Sequence, residues 1–261
     1  TSMGPTAEYH RLPARCGAFR AVRYTPQLEG MMPQDAQGRP TTQAVEDYVK
    51  AIYHLGGSQQ PVSTTALADW LHITAAGTSH MLRQLAQLGL VDHTPYYGVR
   101  LTESGNRAAL EVIRHHRLAE QFLVQVLGYA WDEVHDDAER LEHAMSERLE
   151  ERIADKLGNP AADPHGDPIP TLAGQVPPSP ERRLADLPAG VAALVRRVSD
   201  RDPAKLRYLA ELGLTPGAEV TILARGPFRE PLRVRVGSAE RTISLDLAAE
   251  LTVDPQPSLG S

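Results

Sequence analysis

The run His135-Asp136-Asp137-Ala138-Glu139-Arg140-Leu141-Glu142-His143 packs two imidazoles and several carboxylates into one short stretch. Val134, Ala138, Leu141, Met145, Leu149, Ile153 and Leu157 recur through it and beyond at steps of three and four, the period of an amphipathic helix. On such a helix His135, Glu139, Glu142, His143 and Ser146 share one flank beside the apolar stripe. Upstream, His116 and Glu120 stand four residues apart and can offer a second contribution. Imidazole nitrogens and carboxylate oxygens along one helical edge are half of a divalent-metal site. Charges flanking an apolar stripe also make an ordinary solvated face with i,i+4 pairs, and the spacing alone leaves both readings open.

The chain has 261 residues, enough for roughly two domains. A hydrophobic content of 41% with 23% charged residues belongs to the soluble globular class. No apolar run approaches bilayer length, and no charged-then-apolar leader pattern is present. Cys16 is the single cysteine, so a disulfide within the chain is impossible and a cytoplasmic protein is expected. A net charge of −6 argues against nucleic-acid binding through bulk charge alone, unless carboxylates lie away from the DNA or are neutralised by metal. No nucleophile–base constellation or phosphate-binding glycine loop occurs, so an enzyme is not expected. A di-metal enzyme in a four-helix bundle would draw a Glu-x-x-His pair from each of two helices. This chain offers His116-x-x-x-Glu120 and the adjacent Glu142-His143 instead.

The elements that must position these groups read as several bodies. Residues 1–40 scatter Arg, Gly and Pro without period and read as a flexible N-terminal arm, with Arg11, Arg15, Arg20 and Arg23 as candidate DNA-backbone contacts. Residues 41–102 read as helix, helix, turn, helix and β-hairpin, the winged helix-turn-helix order. Val45, Tyr48, Val49, Ile52 and Leu55 face inward on the first helix, which stops at Gly56-Gly57. Ser63-Thr64-Thr65 can cap the second, and Met81, Leu82, Leu85 and Leu88 line the third. Two longer helices are expected at about 103–128 and 132–157, within a helical domain spanning 103–158. Seven prolines between 158 and 180 forbid a helix there, so 159–180 reads as a proline-rich linker. From 181 to 254, short β-type runs (Val191–Val198, Val220–Leu223, Leu232–Val236, Arg241–Leu245, Leu251–Val253) surround a helical stretch, Pro203–Leu212, and suggest a small barrel. Residues 255–261 form a tail. The fold class expected is mainly α with a small β domain.

With these elements in order, Val45-Glu46-Asp47-Tyr48, His116-Arg117-Leu118-Ala119-Glu120, the 135–146 run and Pro164-His165-Gly166-Asp167-Pro168-Ile169-Pro170 resemble the diphtheria-toxin-repressor family of metal-dependent transcription regulators, from about Thr42 to Val253. The resemblance implies a winged helix domain, a helical dimerisation and metal-binding domain, and a C-terminal SH3-like (FeoA-like) barrel. It implies a primary metal site of Asp47, Glu139, Glu142 and His143. Iron-responsive members carry Met and Cys where this chain has Asp47 and Glu139, so the ligand set resembles the manganese-responsive branch. Hard oxygen ligands suit Mn²⁺ and also accommodate Fe²⁺. Some members of that branch have Glu where Lys50 stands. A cation cannot ligate, so separate sites are expected rather than a closely bridged metal pair. An ancillary site would use His116, Glu120 and His135. By position Asp202 could add a barrel ligand, although an acid before Pro203 is equally a turn residue, and Lys205, at the neighbouring ligand position, cannot serve. His115 points about a hundred degrees from His116 and reads as surface. His10, His54, His72, His93 and His165 have no partnered spacing and read as structural or solvent-facing.

The third helix should enter the major groove by its N-terminal end. That end carries Thr74, Ala76, Gly77, Thr78, Ser79 and His80, with Tyr96 and Tyr97 on the wing. Thr78 and Ser79 can bond phosphate or a base edge, and Ala76 can touch a thymine methyl. Thr74 can also cap the helix. Gly77 is read as allowing close backbone approach to DNA. Between Pro61 and Thr102 only Arg83 and Arg100 are basic, so binding should lean on hydroxyls and backbone amides. The implied function is a Mn²⁺-dependent homodimeric repressor of manganese-uptake genes, reading an inverted repeat of double-stranded DNA. An Fe²⁺-responsive regulator, or a winged helix regulator that senses no metal, are the alternatives.

Overall fold

The computed structural model describes residues 42–178, 182–199, 202–227 and 230–256; the arm with its four arginines, His10 and Cys16 lies outside the described residues. The first body is built by α1 (Gln43–His54), α2 (Thr64–Trp70), α3 (Ala75–Gln87), β1 (Val91–Thr94) and β2 (Gly98–Leu101). α2 and α3 begin where side chains satisfy free N–H groups of the first turn. Ser63 Oγ accepts from Ala66 N, and Thr74 Oγ1 accepts from Gly77 N. Val49, Ile52, Leu67, Leu82, Leu85, Leu90 and Val99 are wholly excluded from water and make its core. β1 and β2 pair antiparallel from Val91–Leu101 to Thr94–Gly98, forming a wing whose tip carries Tyr96 and Tyr97.

Thr102 starts α4 (Glu103–Leu127), accepting from Gly105 N and donating to the Gly89 carbonyl. At about 1.5 Å per residue, its 25 residues make a bar of about 37 Å. Ala108 and Ala109 belong to the winged helix core, whereas Leu118, Ala119 and Leu123 belong to a second core with Val134, Ala138, Met145, Ile153 and Ile169. The expected second long helix is two helices, α5 (His135–Glu142) and α6 (Glu147–Lys156). Ser146 is extended and its Oγ accepts from Leu149 N, so it caps α6 rather than continuing α5. The apolar period ran through the break because one irregular turn barely rotates the stripe.

The proline-rich segment is tied down. Arg117 Nη1 donates to Pro168 O at 2.6 Å, Arg114 Nη1 to Pro170 O at 2.7 Å, and Val198 N to His165 O at 3.0 Å. Beyond it an antiparallel sheet has the strand order β3-β8-β4-β5-β6-β7. Its strands are β3 (Arg182–Arg183), β4 (Ala192–Arg197), β5 (Glu219–Arg225), β6 (Leu232–Val236), β7 (Ala239–Ile243) and β8 (Thr252–Pro255). Ile222 pairs with Val234 and Val195 with Val253, and these alternate side chains fill the domain core. α7 (Pro203–Leu212) matches the expected helix, whereas α8 (Leu245–Glu250) takes over where a strand was read to Leu245, because Ser244 caps it. No described helix is long and apolar enough to cross a membrane.

Gly166 joins the proline-rich loop to the sheet. Its φ is +88°, and a Cβ there would lie 1.8 Å from the Arg196 carbonyl oxygen. Gly166→Ala should therefore lower stability by at least about 1–3 kcal/mol, read as a lower urea midpoint. Trp131 reports on this junction because it stacks 5.7 Å from His165. An unchanged midpoint would show that the loop is not held as described.

Candidate metal centre

Asp47 on α1, Glu139 and Glu142 on α5, and His143 at the end of α5 bring ligand atoms within 4.8 Å of one another. Ala138 is buried against α4, which turns the Glu139–Glu142 edge of α5 toward α1. His143 Nε2 lies 3.0 Å from Asp47 Oδ1 and 3.4 Å from Glu142 Oε1. Its other nitrogen, Nδ1, donates to Glu46 Oε2 at 2.6 Å. That bond fixes the ring and aims Nε2 at the carboxylates, the way a supporting carboxylate orients a metal-binding histidine. Burial lowers the affinity of His143 for its proton, but Asp47, Glu46 and the Glu142 charge outweigh it and raise the group to about 10.

A second group joins His116 and Glu120 of α4 to His135 at the start of α5. His116 Nε2 is 3.2 Å, and His135 Nδ1 3.6 Å, from the same Glu120 oxygen, Oε1. Burial and the Lys50 ammonium lower His116, yet Glu120 and Glu142 raise it to about 9. A third group, Glu120, Asp163 and His165, was not anticipated. His165 Nε2 donates to Trp131 O at 2.7 Å, leaving Nδ1 3.5 Å from the second Glu120 oxygen. Burial lowers His165, while contact with Glu120 raises it to about 9. Burial, with the charges of Glu120 and Asp167, lifts Asp163 to about 8. His165 is thus neither isolated nor solvent-facing. It escaped the sequence reading because it sits in an irregular loop, where no period reveals neighbours; the one local sign was Asp163 two residues before it.

The donor atoms themselves show whether a cation fits. Six buried side-chain polar atoms among the described residues lack a hydrogen-bond partner: His143 Nε2, both Glu120 oxygens, His135 Nδ1, His165 Nδ1 and His115 Nδ1. Five of these belong to the three groups just described. A buried carboxylate with no hydrogen bond is costly unless a cation compensates it. Nitrogen and oxygen donors converging on shared points, with no sulfur among them, suit a hard or borderline divalent ion.

Lys50 stands among these groups. Its Nζ is 2.5 Å from Glu139 Oε1, 2.8 Å from both Glu142 oxygens and 3.5 Å from His116 Nδ1. Three other residues require correction. Asp202 reaches none of the three groups; its Oδ1 accepts from Ala204 N and Lys205 N and caps α7. Ser146 likewise only caps α6. His115 is fully buried, with Nε2 3.3 Å from Glu150 Oε2, because α6 covers the side of α4 that was read as surface. Glu46 was also missed as a site residue, although its place beside Asp47 was visible.

On the end of α3 expected to read DNA, Thr74, Ala76, Gly77 and His80 are exposed and Ser79 is half-buried. Thr78 is fully buried and its hydroxyl donates to Thr74 O at 3.0 Å, so it is not available to DNA. It occupies the inward side of the first turn, toward Tyr48. A Cβ on Gly77 would lie 3.3 Å from Thr74 Oγ1, so this glycine also leaves room for the cap. Tyr96 and Tyr97 project into solvent at the wing tip.

Two outcomes follow. Glu46→Ala removes the acceptor that orients His143 and should weaken divalent-metal binding about 10–100-fold, measured by competition with a metal-sensitive dye; an unchanged affinity would deny it that role. In chelator, the folded-state values of about 9 to 10 for His116, His143 and His165 exceed the ordinary 6.5. The folded rings keep protons that unfolded rings have lost, so their stabilisation is complete below pH 6.5 and fades as pH rises to 9 and beyond. The melting temperature in chelator should fall over that interval, and a flat profile would contradict the assignment.

Three sequence families match consecutive parts of the chain. These are the iron dependent repressor N-terminal DNA binding domain (residues 40–99), the iron dependent repressor metal binding and dimerisation domain (102–171) and the FeoA domain (182–255). The iron-dependent repressor IdeR of Mycobacterium tuberculosis is 35% identical over 189 residues, covering 68% of this chain and 82% of its own. The HTH-type transcriptional regulator MntR of Oceanobacillus iheyensis is 30% identical over 105 residues, covering 40% of this chain and 71% of its own. A solved manganese-dependent transcriptional repressor in complex with manganese has 45% identity and a TM-score of 0.75, covering 81% of this chain and all of that one. With a winged helix, a helical domain and a small β domain in the same order, this chain belongs to the diphtheria-toxin-repressor family of metal-dependent DNA-binding transcription regulators.

Proposed function

We propose that this protein is a Mn²⁺-dependent repressor of manganese-uptake genes, acting in the cytoplasm as a homodimer on an inverted-repeat operator. The observation that carries the reading is the donor set of the first group: three carboxylates, one imidazole and no sulfur. Oxygen-rich sites suit Mn²⁺, which binds weakly in the divalent series and gains little from thiolate. The manganese-dependent repressor resembling this chain at 45% identity supports the choice. Fe²⁺ is the second reading, because the same donors accept it and the mycobacterial relative is an iron-dependent repressor.

Asp47, Glu139, Glu142 and His143 would hold the primary ion, and His116, Glu120 and His135 an ancillary one. Glu120 can also turn its second oxygen to Asp163 and His165. When bound, the ion supplies the positive charge that lets carboxylates from two domains stand together. Asp47 then ties α1 of the winged helix to α5 of the helical domain. Glu46 holds the His143 ring in the matching orientation. The arrangement so stabilised fixes the spacing of the paired α3 helices on DNA. Ala76, Gly77, Ser79, His80 and Tyr97 are the proposed DNA contacts, with Thr74 serving as cap and contact. With so few basic side chains on this face, specific bonds carry more of the affinity than counterion release.

Fluorescence anisotropy on a duplex from a manganese-transporter promoter tests this, with Mn²⁺, anaerobic Fe²⁺ or chelator. Binding should tighten by about 5–150-fold with metal, most with Mn²⁺, and Glu139→Ala should lose that gain. Stronger activation by Fe²⁺ would select the second reading. Equal binding in chelator would leave a winged helix regulator that senses no metal. A log–log salt slope as steep as about −10 would contradict the weakly basic interface.

A further inference from the structure

The candidate metal groups do not use Lys50, yet it is the most tightly engaged cation near them. Its ammonium donates to Glu139 and to both oxygens of Glu142, and its side chain is 13% exposed. The two carboxylates it holds are two of the three in the first group. Burial opposes its charge, but Glu142 and Glu139 more than restore it. A permanent positive charge therefore shares ligands with any divalent ion bound beside Asp47 and His143.

We infer that Lys50 is an affinity-determining residue: a built-in cation that competes with the metal for Glu139 and Glu142 and so raises the metal concentration at which the regulator responds. Two effects act in the same direction. The ammonium repels a divalent ion at short range, and it draws negative potential from the carboxylates that would bind that ion. Its benefit is charge balance. Asp47, Glu139 and Glu142 carry three negative charges, which one ammonium and one divalent ion together neutralise. The first group is thereby matched to a single ion. A second ion sharing Glu142 would have to displace the lysine, whose Nζ lies beside the Glu142–His116 contact, 2.8 Å from Glu142 and 3.5 Å from His116 Nδ1.

This inference rests on the metal reading proposed above, and the experiment separates the two. Equilibrium dialysis against Mn²⁺, with metal quantified per chain, is run on the full chain and on Asp47→Ala, Lys50→Met, Lys50→Gln and Lys50→Arg. Asp47→Ala should lose about one ion equivalent. Either neutral Lys50 variant should bind Mn²⁺ about tenfold more tightly than the unaltered chain, a difference of about 1.4 kcal/mol, and should occupy the operator at correspondingly lower Mn²⁺. Lys50→Arg keeps the charge and should stay near the unaltered affinity. Two neutral variants are included because methionine leaves three carboxylates facing an apolar chain, whereas glutamine can still donate to them. If Asp47→Ala loses its ion while both neutral variants bind equally or more weakly, Lys50 organises the site rather than competing, and the inference fails alone. If the unaltered chain binds no Mn²⁺, the metal reading fails and takes this inference with it.

Discussion

Buried negative charge, compensated only by protons and one lysine, is the constraint on which this structure turns. Glu120 is wholly excluded from water, and its oxygens face the imidazoles of His116, His135 and His165 at 3.2, 3.6 and 3.5 Å without a well-aligned hydrogen bond. Glu142 is almost as deeply buried and is satisfied by Lys50 and His116. Apolar residues could fill such positions at less cost, since a buried ion pair rarely stabilises more than a hydrophobic replacement. Carboxylates in a low-dielectric junction make sense as a device that stays incomplete until a cation joins it. The imidazoles show the same thing from the other side: His116, His143 and His165 all hold protons far above their ordinary range because acids surround them. A divalent ion must compete with those protons, so the surrounding acids both create the site and moderate it.

The scaffold exists to bring these groups to one place. α4 supplies His116 and Glu120 from its middle, where it is packed on several sides, and its two ends serve two different cores. α5 is short and leans on α4 through Ala138, so its carboxylate edge meets Lys50 of α1 and His116 of α4. The proline-rich loop contributes Asp163 and His165 because Arg114 and Arg117 of α4 hold its carbonyls. Asp163 Oδ1 in turn accepts from the backbone N–H groups of His165 and Asp167, which closes the loop on itself. No one element forms the centre, which is why the groups lie far apart in sequence.

Regular structure made much of this legible. α1, α2, α3, the wing and α4 follow from apolar period, capping hydroxyls and glycines, and the spacing of His116 with Glu120 and of Glu139 with His143 follows from helical geometry. Period could not show the break at Ser146, since one extended residue leaves the stripe nearly in phase. Nor could it show β3, whose partner β8 begins about seventy residues later, or the depth of His115, because burial on the back of α4 depends on α6. Asp202 illustrates the opposite case: a position inferred from likeness holds a side chain whose Oδ1 caps α7 away from the three groups. His165 and Glu46 needed tertiary contacts, since the groups that place them at the centre, Glu120 and His143, lie far away along the chain.

The geometry of α1 would let the proposed metal site govern the proposed DNA-reading helix without touching it. One turn of α1 carries Glu46, Asp47 and Lys50 toward the helical domain. The opposite face carries Val45, Val49 and Ile52 into the winged helix core, where they meet Leu82 and Leu85 of α3. Closely packed cores move as bodies rather than deform, so fixing α1 relative to α5 fixes α3 as well. Tyr48 strengthens the connection, since it follows Asp47 directly and meets Thr78 in the first turn of α3. The loss of Thr78 as a DNA contact is therefore informative. The Thr78 hydroxyl is spent on the Thr74 carbonyl and sits beside Tyr48 of α1, so the orientation of the reading surface proposed for α3 and of the proposed metal ligand Asp47 would be set by the same short piece of chain.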